Sequence, residues 1–177
     1  MDGAEDKITW LLEMTDKYDL KVMLDMHGLK GSQNGFDNSG IANQTRWSSE
    51  DKFDHWTYAA GEWMGQWNFD TKSYDFLTYD NANFDIEAIK FFTETWQSHP
   101  SLYAIECINE PWGNSNIDFL KWYYREAREA MRSVNPDIKF VFYAADGITD
   151  TWLDLFPDDD MDNVVMDWHN YTAWWGT

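Results

Sequence analysis

Apolar residues return at helical spacing over residues 6–18, where Ile8, Leu11, Leu12, Thr15 and Tyr18 share one face. A short apolar run at 21–26 (KVMLDM) then stops at His27-Gly28, which reads as a buried strand. From Gly28 to about Asn83 the chain turns polar, rich in Gly, Asn, Ser, Asp and Trp. A loop of that length is uncommon and often functional. Asn83 can cap the next helix, and Asp85 and Glu87 suit the positive end of its dipole. Ala88, Ile89, Phe92 and Trp96 form its predicted buried face, and His99-Pro100 ends it. Residues 102–109 (LYAIECIN) predict a second strand running into Glu110-Pro111. Ser115 and Asp118 resemble a capping box, followed by a stripe of Leu120, Tyr123, Ala127, Met131 and Val134 that Asn135-Pro136 stops. A third strand is predicted at 138–144 (IKFVFYA), a short helix around 150–155 and a fourth strand at 163–168 (NVVMDW).

Helices and apolar strands thus alternate, which implies an α/β fold with a parallel sheet and helical crossovers. No repeat, low-complexity segment or linker divides residues 1–177, so the chain reads as one domain. Two architectures fit four such strands: a small doubly wound sheet, or half of an eight-stranded βα barrel. No glycine-rich phosphate loop follows the first strand. Each strand is followed instead by polar or ionisable residues. In a βα barrel those would gather at the C-terminal rim, where active sites lie.

Composition narrows the partners. The formal net charge of −19 argues against nucleic acid, whose phosphates require Lys and Arg, and against an anionic membrane surface. No apolar run approaches the ~20 residues that span a bilayer, so membrane insertion is not expected. The first residues lack the zones of a signal peptide. Twelve Trp, nine Tyr and eleven Phe suit a packed core, and they also suit stacking on the flat faces of sugar rings. Cys107 is the one cysteine, so no internal disulfide can form.

The predicted rim carries Asp25-Met26-His27, Asn109-Glu110-Pro111-Trp112, Asp146-Gly147 and Asp167-Trp168-His169-Asn170-Tyr171. Glu110 follows an apolar strand, where its charged form is disfavoured. Its pKa is therefore expected to rise toward the range of a general acid. The pairs Asp25/His27 and Asp167/His169 also have the ligand chemistry for a divalent metal, which leaves a metal-dependent hydrolase as an alternative. His55 and His99 read as structural.

The segment Leu24 to Gly40, LDMHGLKGSQNGFDNSG, resembles the third-strand motif of glycoside hydrolase family 5, particularly its exo-β-1,3-glucanase branch. CINEP at 107–111 is similar to the family's fourth-strand Asn-Glu-Pro motif, and DWHNY at 167–171 to its sixth-strand motif. The resemblance implies a (β/α)8 TIM barrel, of which this chain covers roughly the third to sixth strands as a partial catalytic domain. It implies a β-glucan hydrolase, with β-1,3-glucan favoured and β-1,4-glucan the near alternative, acting without metal or cofactor. Glu110 would be the acid/base, and Asn109 would bind the sugar 2-hydroxyl. His27, His169 and Tyr171 would line the catalytic subsite. Asp37 and Asn38 would bind glucose hydroxyls. Phe36 would stand at the cleft entrance, with Trp174 opposite.

In that family a retaining mechanism uses two carboxyl groups ~5–5.5 Å apart. The nucleophile is a Glu ending the seventh strand, outside this chain, and the first two strands are also absent. The isolated chain is therefore expected to be inactive and, with its strand edges open, to aggregate, dimerise or be partly disordered. A non-catalytic glucan-binding module is the remaining alternative. Wall or storage polysaccharide as substrate implies an extracellular or cell-wall location, and Asn43-Gln44-Thr45 is a glycosylation sequon consistent with secretion. The Trp-rich stretch around 56–79 lies outside the family's core motifs and has no assigned role.

Overall fold

The computed structural model describes residues 3–40, 61–68, 70–71, 73–111, 115–145, 147–157 and 160–171. The elements in chain order are α1 (Ala4–Asp16), β1 (Val22–Asp25), a 3₁₀ turn (Asp37–Ser39), β2 (Gly65–Asn68) and β3 (Ser73–Leu77). They continue with α2 (Asp80–Trp96), β4 (Leu102–Glu106), α3 (Ile117–Arg132), β5 (Lys139–Tyr143), a second 3₁₀ turn (Asp150–Trp152) and β6 (Val164–Asp167).

Strands β1, β4, β5 and β6 form one parallel sheet in that order. The spatial order follows the chain order without reversal. Crossovers between parallel strands are right-handed, so a one-directional order puts successive helices on one face. A doubly wound sheet reverses its order part-way and is covered on both faces. The observed order is therefore an arc of a βα barrel, and it decides between the two architectures left open by the sequence.

The helix-covered face is apolar. Phe140 and Phe142 of β5 pack against Phe156, and Phe142 also meets Tyr124 and Trp152. Helix α3 buries Phe119, Leu120, Tyr123, Tyr124, Ala127 and Met131, in agreement with the predicted stripe. Two of its tyrosines fasten it to the strand ends: the Tyr123 hydroxyl donates to the Cys107 carbonyl (2.7 Å) and that of Tyr124 to the Tyr143 carbonyl (2.8 Å). The other face carries a row of register partners, Asp25, Glu106, Val141 and Val165. Met23 and Val165 are exposed there.

Four local expectations are corrected. The polar stretch after Gly28 contains an antiparallel hairpin, β2 with β3. Helix α2 begins at Asp80 with Tyr79 as its cap, and Asn83 lies inside it, its amide donating to the Tyr79 carbonyl. Asp85 consequently falls on the buried stripe of α2 instead of its N-terminal turn. There it accepts from Trp63 Nε1 (2.6 Å). Burial raises the Asp85 pKa to about 7, and the Trp63 hydrogen bond only partly offsets this. Asn116, not Ser115, caps α3, its side chain accepting from the Phe119 amide (2.9 Å). The short helix predicted near 150–155 is only the 3₁₀ turn.

Part of the Trp-rich stretch now has a role. Trp63 is fully buried, edge-on to Phe119 and Tyr123 at ring separations of 5.4 and 4.9 Å. It closes the end of α3 and belongs to the core.

Candidate active site

Glu110 stands just past β4 with φ 42°, the left-handed region that an L residue rarely adopts. Such backbone persists only where its surroundings over-determine it. The loop after β1 does this. Gln33 Nε2 donates to the carbonyls of His27 (2.9 Å) and Asn109 (2.8 Å), while its Oε1 accepts from the Leu29 amide (3.1 Å). Asn34 Nδ2 donates to the Glu110 carbonyl (2.9 Å) and to Asn38 Oδ1 (3.1 Å). Both amide side chains are buried. They stitch the loop after β1 to the loop after β4. The fit is close at Gly28, where an added Cβ would come within 2.8 Å of the Ser39 carbonyl oxygen.

Three side chains converge on the Glu110 carboxylate. Asn38 Nδ2 donates to Oε2 at 2.8 Å. The Tyr171 hydroxyl donates to Oε1, and His169 Nδ1 meets the same oxygen at 2.7 Å. The other ring nitrogen, His169 Nε2, lies 3.1 Å from Asp167 Oδ2. The Tyr143 and His169 rings meet nearly at right angles, with centroids 5.0 Å apart.

These contacts reverse the expected pKa of Glu110. Burial acts to raise it, but hydrogen bonds from Tyr171, His169 and Asn38 and the charge of His169 outweigh burial and hold it below the usual carboxylate value. For His169 burial acts downward, and Glu110 and Asp167 together lift it above the ordinary histidine value. Tyr171 is pushed up to about 12 because its hydroxyl proton is held by the Glu110 carboxylate.

Of the sequence-predicted residues, Glu110, Asn38, His169 and Tyr171 come together. Asn109 lies beside them with its Nδ2 buried and without a partner. His27 does not join them: its Nδ1 pairs with Asp25 Oδ2 at 2.6 Å, and its side chain is 58% exposed. Phe36 and Asp37 lie on the stitched loop, Phe36 through its amide on Asn34 Oδ1 and Asp37 at the start of the 3₁₀ turn. Trp174 falls outside the described residues, as do Trp112, Asp146, His55 and the Asn43 sequon. Among the described residues, no three His, Cys, Asp or Glu side chains are grouped to hold a metal ion.

Sequence reasoning missed Gln33, Asn34 and Glu106. Glu106 is 2% exposed at the end of β4, with its Oε1 unpartnered. Burial, then the negative charges of Asp25, Asp167 and Glu110, push its pKa up to about 8. The available signal was an acid inside an otherwise apolar run.

No family model matches the chain. It is 31% identical to the probable glucan 1,3-beta-glucosidase A of Aspergillus terreus, over 97% of this chain and 34% of that protein. It is 33% identical to the glucan 1,3-beta-glucosidase of Lachancea kluyveri, over 86% of this chain and 29% of that one. The chain belongs to glycoside hydrolase family 5. Among solved structures, the rutinosidase of Aspergillus niger matches this family 5 chain with a TM-score of 0.61 at 22% identity, over 92% of this chain and 43% of that one. Endo-glycoceramidase II of Rhodococcus matches it with a TM-score of 0.56 at 15% identity, over 94% and 44%. These likenesses support the barrel fold deduced from strand order. The chain spans about a third of the length of its curated family 5 relatives.

Proposed function

We propose that the protein containing this segment is a retaining β-glucan hydrolase, with β-1,3-glucan favoured and Glu110 as its acid/base. The observation that carries the reading is the convergence of Asn38, His169 and Tyr171 on one carboxylate beside the unpartnered amide of Asn109. The similarity to glucan 1,3-beta-glucosidases supports the choice of linkage. No helix among the described residues is long and apolar enough to cross a membrane, and the proposed location is extracellular or the cell wall.

In this reading the nucleophile is a second carboxylate supplied by another part of the protein. It attacks the anomeric carbon while Glu110 protonates the leaving oxygen, and Glu110 then activates water to release the sugar. The depressed pKa of Glu110 fits its second task as base. Its acid form returns when the second carboxylate stands about 5–5.5 Å away, because like charges raise each other's pKa. Asn109 Nδ2 is free to donate to the sugar 2-hydroxyl, a bond that strengthens as charge develops. Asn38 and Tyr171 hold the carboxylate in line.

The test uses the full-length protein and laminari-oligosaccharides, with the anomer released followed by NMR. The expected product is the β-anomer first, and Glu110→Gln is expected to lower kcat by about 10²–10⁴-fold. An α-anomer first product, or a Glu110→Gln protein as active as the parent, would sink the reading.

A further inference from the structure

Asn34 is only 1% exposed, and both polar atoms of its side chain are engaged. Its Oδ1 accepts from the Phe36 amide at 2.9 Å. Its Nδ2 donates to the Glu110 carbonyl at 2.9 Å and to Asn38 Oδ1 at 3.1 Å. Two of these partners are main-chain groups with fixed roles: the Phe36 N–H only donates, and the Glu110 carbonyl only accepts. Together they fix the orientation of the Asn34 amide. Turned over, it would set its oxygen against the Glu110 carbonyl and its NH2 group against the Phe36 N–H. In a buried site such mismatched groups lose their hydrogen bonds outright.

That orientation is handed on to Asn38. One hydrogen of Asn34 Nδ2 goes to the Glu110 carbonyl and the other to Asn38, so the Asn38 atom facing Asn34 has to be an acceptor. The other end of the same amide, Asn38 Nδ2, then faces Glu110 Oε2 at 2.8 Å. Asn38 is itself exposed, and water would satisfy its amide in either orientation. Glu110 alone does not settle the choice across a turnover. Its carboxylate requires an N–H, whereas its acid form would equally well give its O–H to an Asn38 oxygen. Asn34 removes that second option.

We propose that Asn34 is a positioning residue of the acid/base site, locking the Asn38 amide so that its N–H and never its oxygen meets Glu110. The inference rests on the reading of Glu110 as acid/base. One buried amide thereby grips Glu110 twice, its main chain directly and its carboxylate through Asn38. A donor held in place favours the ionised form, which is the form that activates water. Around the same carboxylate stand His169 and Tyr171 from beyond β6, with Asp167 behind His169. Glu106 of β4 and Tyr143 of β5 sense its charge. Replacing Asn34 or Asn38 leaves all of these groups in the protein.

The test follows the Glu110 carboxyl by ¹³C NMR in full-length protein labelled at its glutamates, the signal being assigned by its loss in Glu110→Gln. Asn38→Ala removes the donor and is expected to raise the Glu110 pKa by about one unit, tenfold in the proton equilibrium. Asn34→Ala leaves the donor present but free to turn, and is expected to raise it by about half a unit, or roughly threefold. The double replacement is expected to match Asn38→Ala alone, because Asn34 acts through Asn38. Asn34→Asp keeps the acceptor for Phe36 and the size of the side chain, and serves if Asn34→Ala does not fold. Its own charge acts on Glu110 with or without Asn38, so the expected result is a larger shift when Asn38 is present than in Asn38→Ala. A Glu110 titration unchanged in Asn34→Ala, or shifts that simply add in the double replacement, overturn the proposal, as do equal shifts from Asn34→Asp in the two backgrounds. A parent protein without glucanase activity overturns the acid/base reading instead, and the Glu110 titration distinguishes the two failures.

Discussion

The chain carries the same pattern twice, Asp25-Met26-His27 after β1 and Asp167-Trp168-His169 after β6, and the structure uses the two copies differently. In each, the histidine meets the aspartate two residues before it. His27 does so through Nδ1, with a side chain 58% exposed. His169 does so through Nε2, which leaves Nδ1 for Glu110, and its side chain is only 30% exposed. The Tyr143 ring packed at right angles to His169 holds that orientation. A local pattern sets the Asp–His pair. The neighbouring strand decides which ring nitrogen is spent on it, and so what the other nitrogen can reach.

The largest test of this contrast replaces each histidine by alanine in the full-length protein. His169→Ala is expected to lower kcat about 10²-fold, the low end for a group engaged in proton transfer. His27→Ala is expected to cost less than about tenfold, mainly in KM, as for a group that binds substrate equally in ground and transition states. Equal losses in kcat would break the contrast.

A second test loosens only the β1 side. Gln33→Ala strands the carbonyls of His27 and Asn109 and the Leu29 amide, and is expected to cost about 1–3 kcal/mol of stability by urea unfolding. An unchanged unfolding midpoint would show that the stitch is not needed to hold Glu110.

The smallest effects are in pH dependence. His169 is raised above its ordinary 6.5, so its stabilising share is complete below that value and is lost as pH rises through the raised one. Glu110 is lowered from 4.5, so its share is present above 4.5 and is lost as pH falls through the depressed value. The pair therefore stabilises most between the two. Asp85 and Glu106 act differently, with folded values of about 7 and about 8 against 3.8 and 4.5 unfolded. Each contributes fully at low pH and loses its contribution as pH rises toward its folded value. Unfolding free energy is thus expected to decline from about pH 5 to pH 8. Asp85→Asn, remote from the rim, is expected to flatten that decline while leaving the His169 titration alone. A slope unchanged in Asp85→Asn would remove Asp85 from this account.

The four strands and their polar ends were legible in the sequence because buried parallel strands read as short apolar runs. Their order in the sheet was not, since either architecture satisfied the same runs. The hairpin escaped notice because GQWN and SYDFL are too short and too polar to stand out from the loop around them. His169 and Tyr171 were legible as residues of the predicted rim, and Asn38 only through resemblance. Their meeting on Glu110 spans 59 to 72 residues of chain and lies beyond any local pattern. That distance is also why the expected rise in the Glu110 pKa was wrong: the apolar strand before it was visible, and the three donors were not. Glu106 was hidden by its setting, an acid inside LYAIECIN.

The left-handed backbone of Glu110 has an evolutionary consequence. At φ 42° glycine is at ease and every L side chain is strained, by about 1–3 kcal/mol. A Glu110→Gly protein would therefore shed that strain while losing the carboxylate on which Asn38, His169 and Tyr171 converge. The residue held here by function is the one that the backbone, left to itself, would discard.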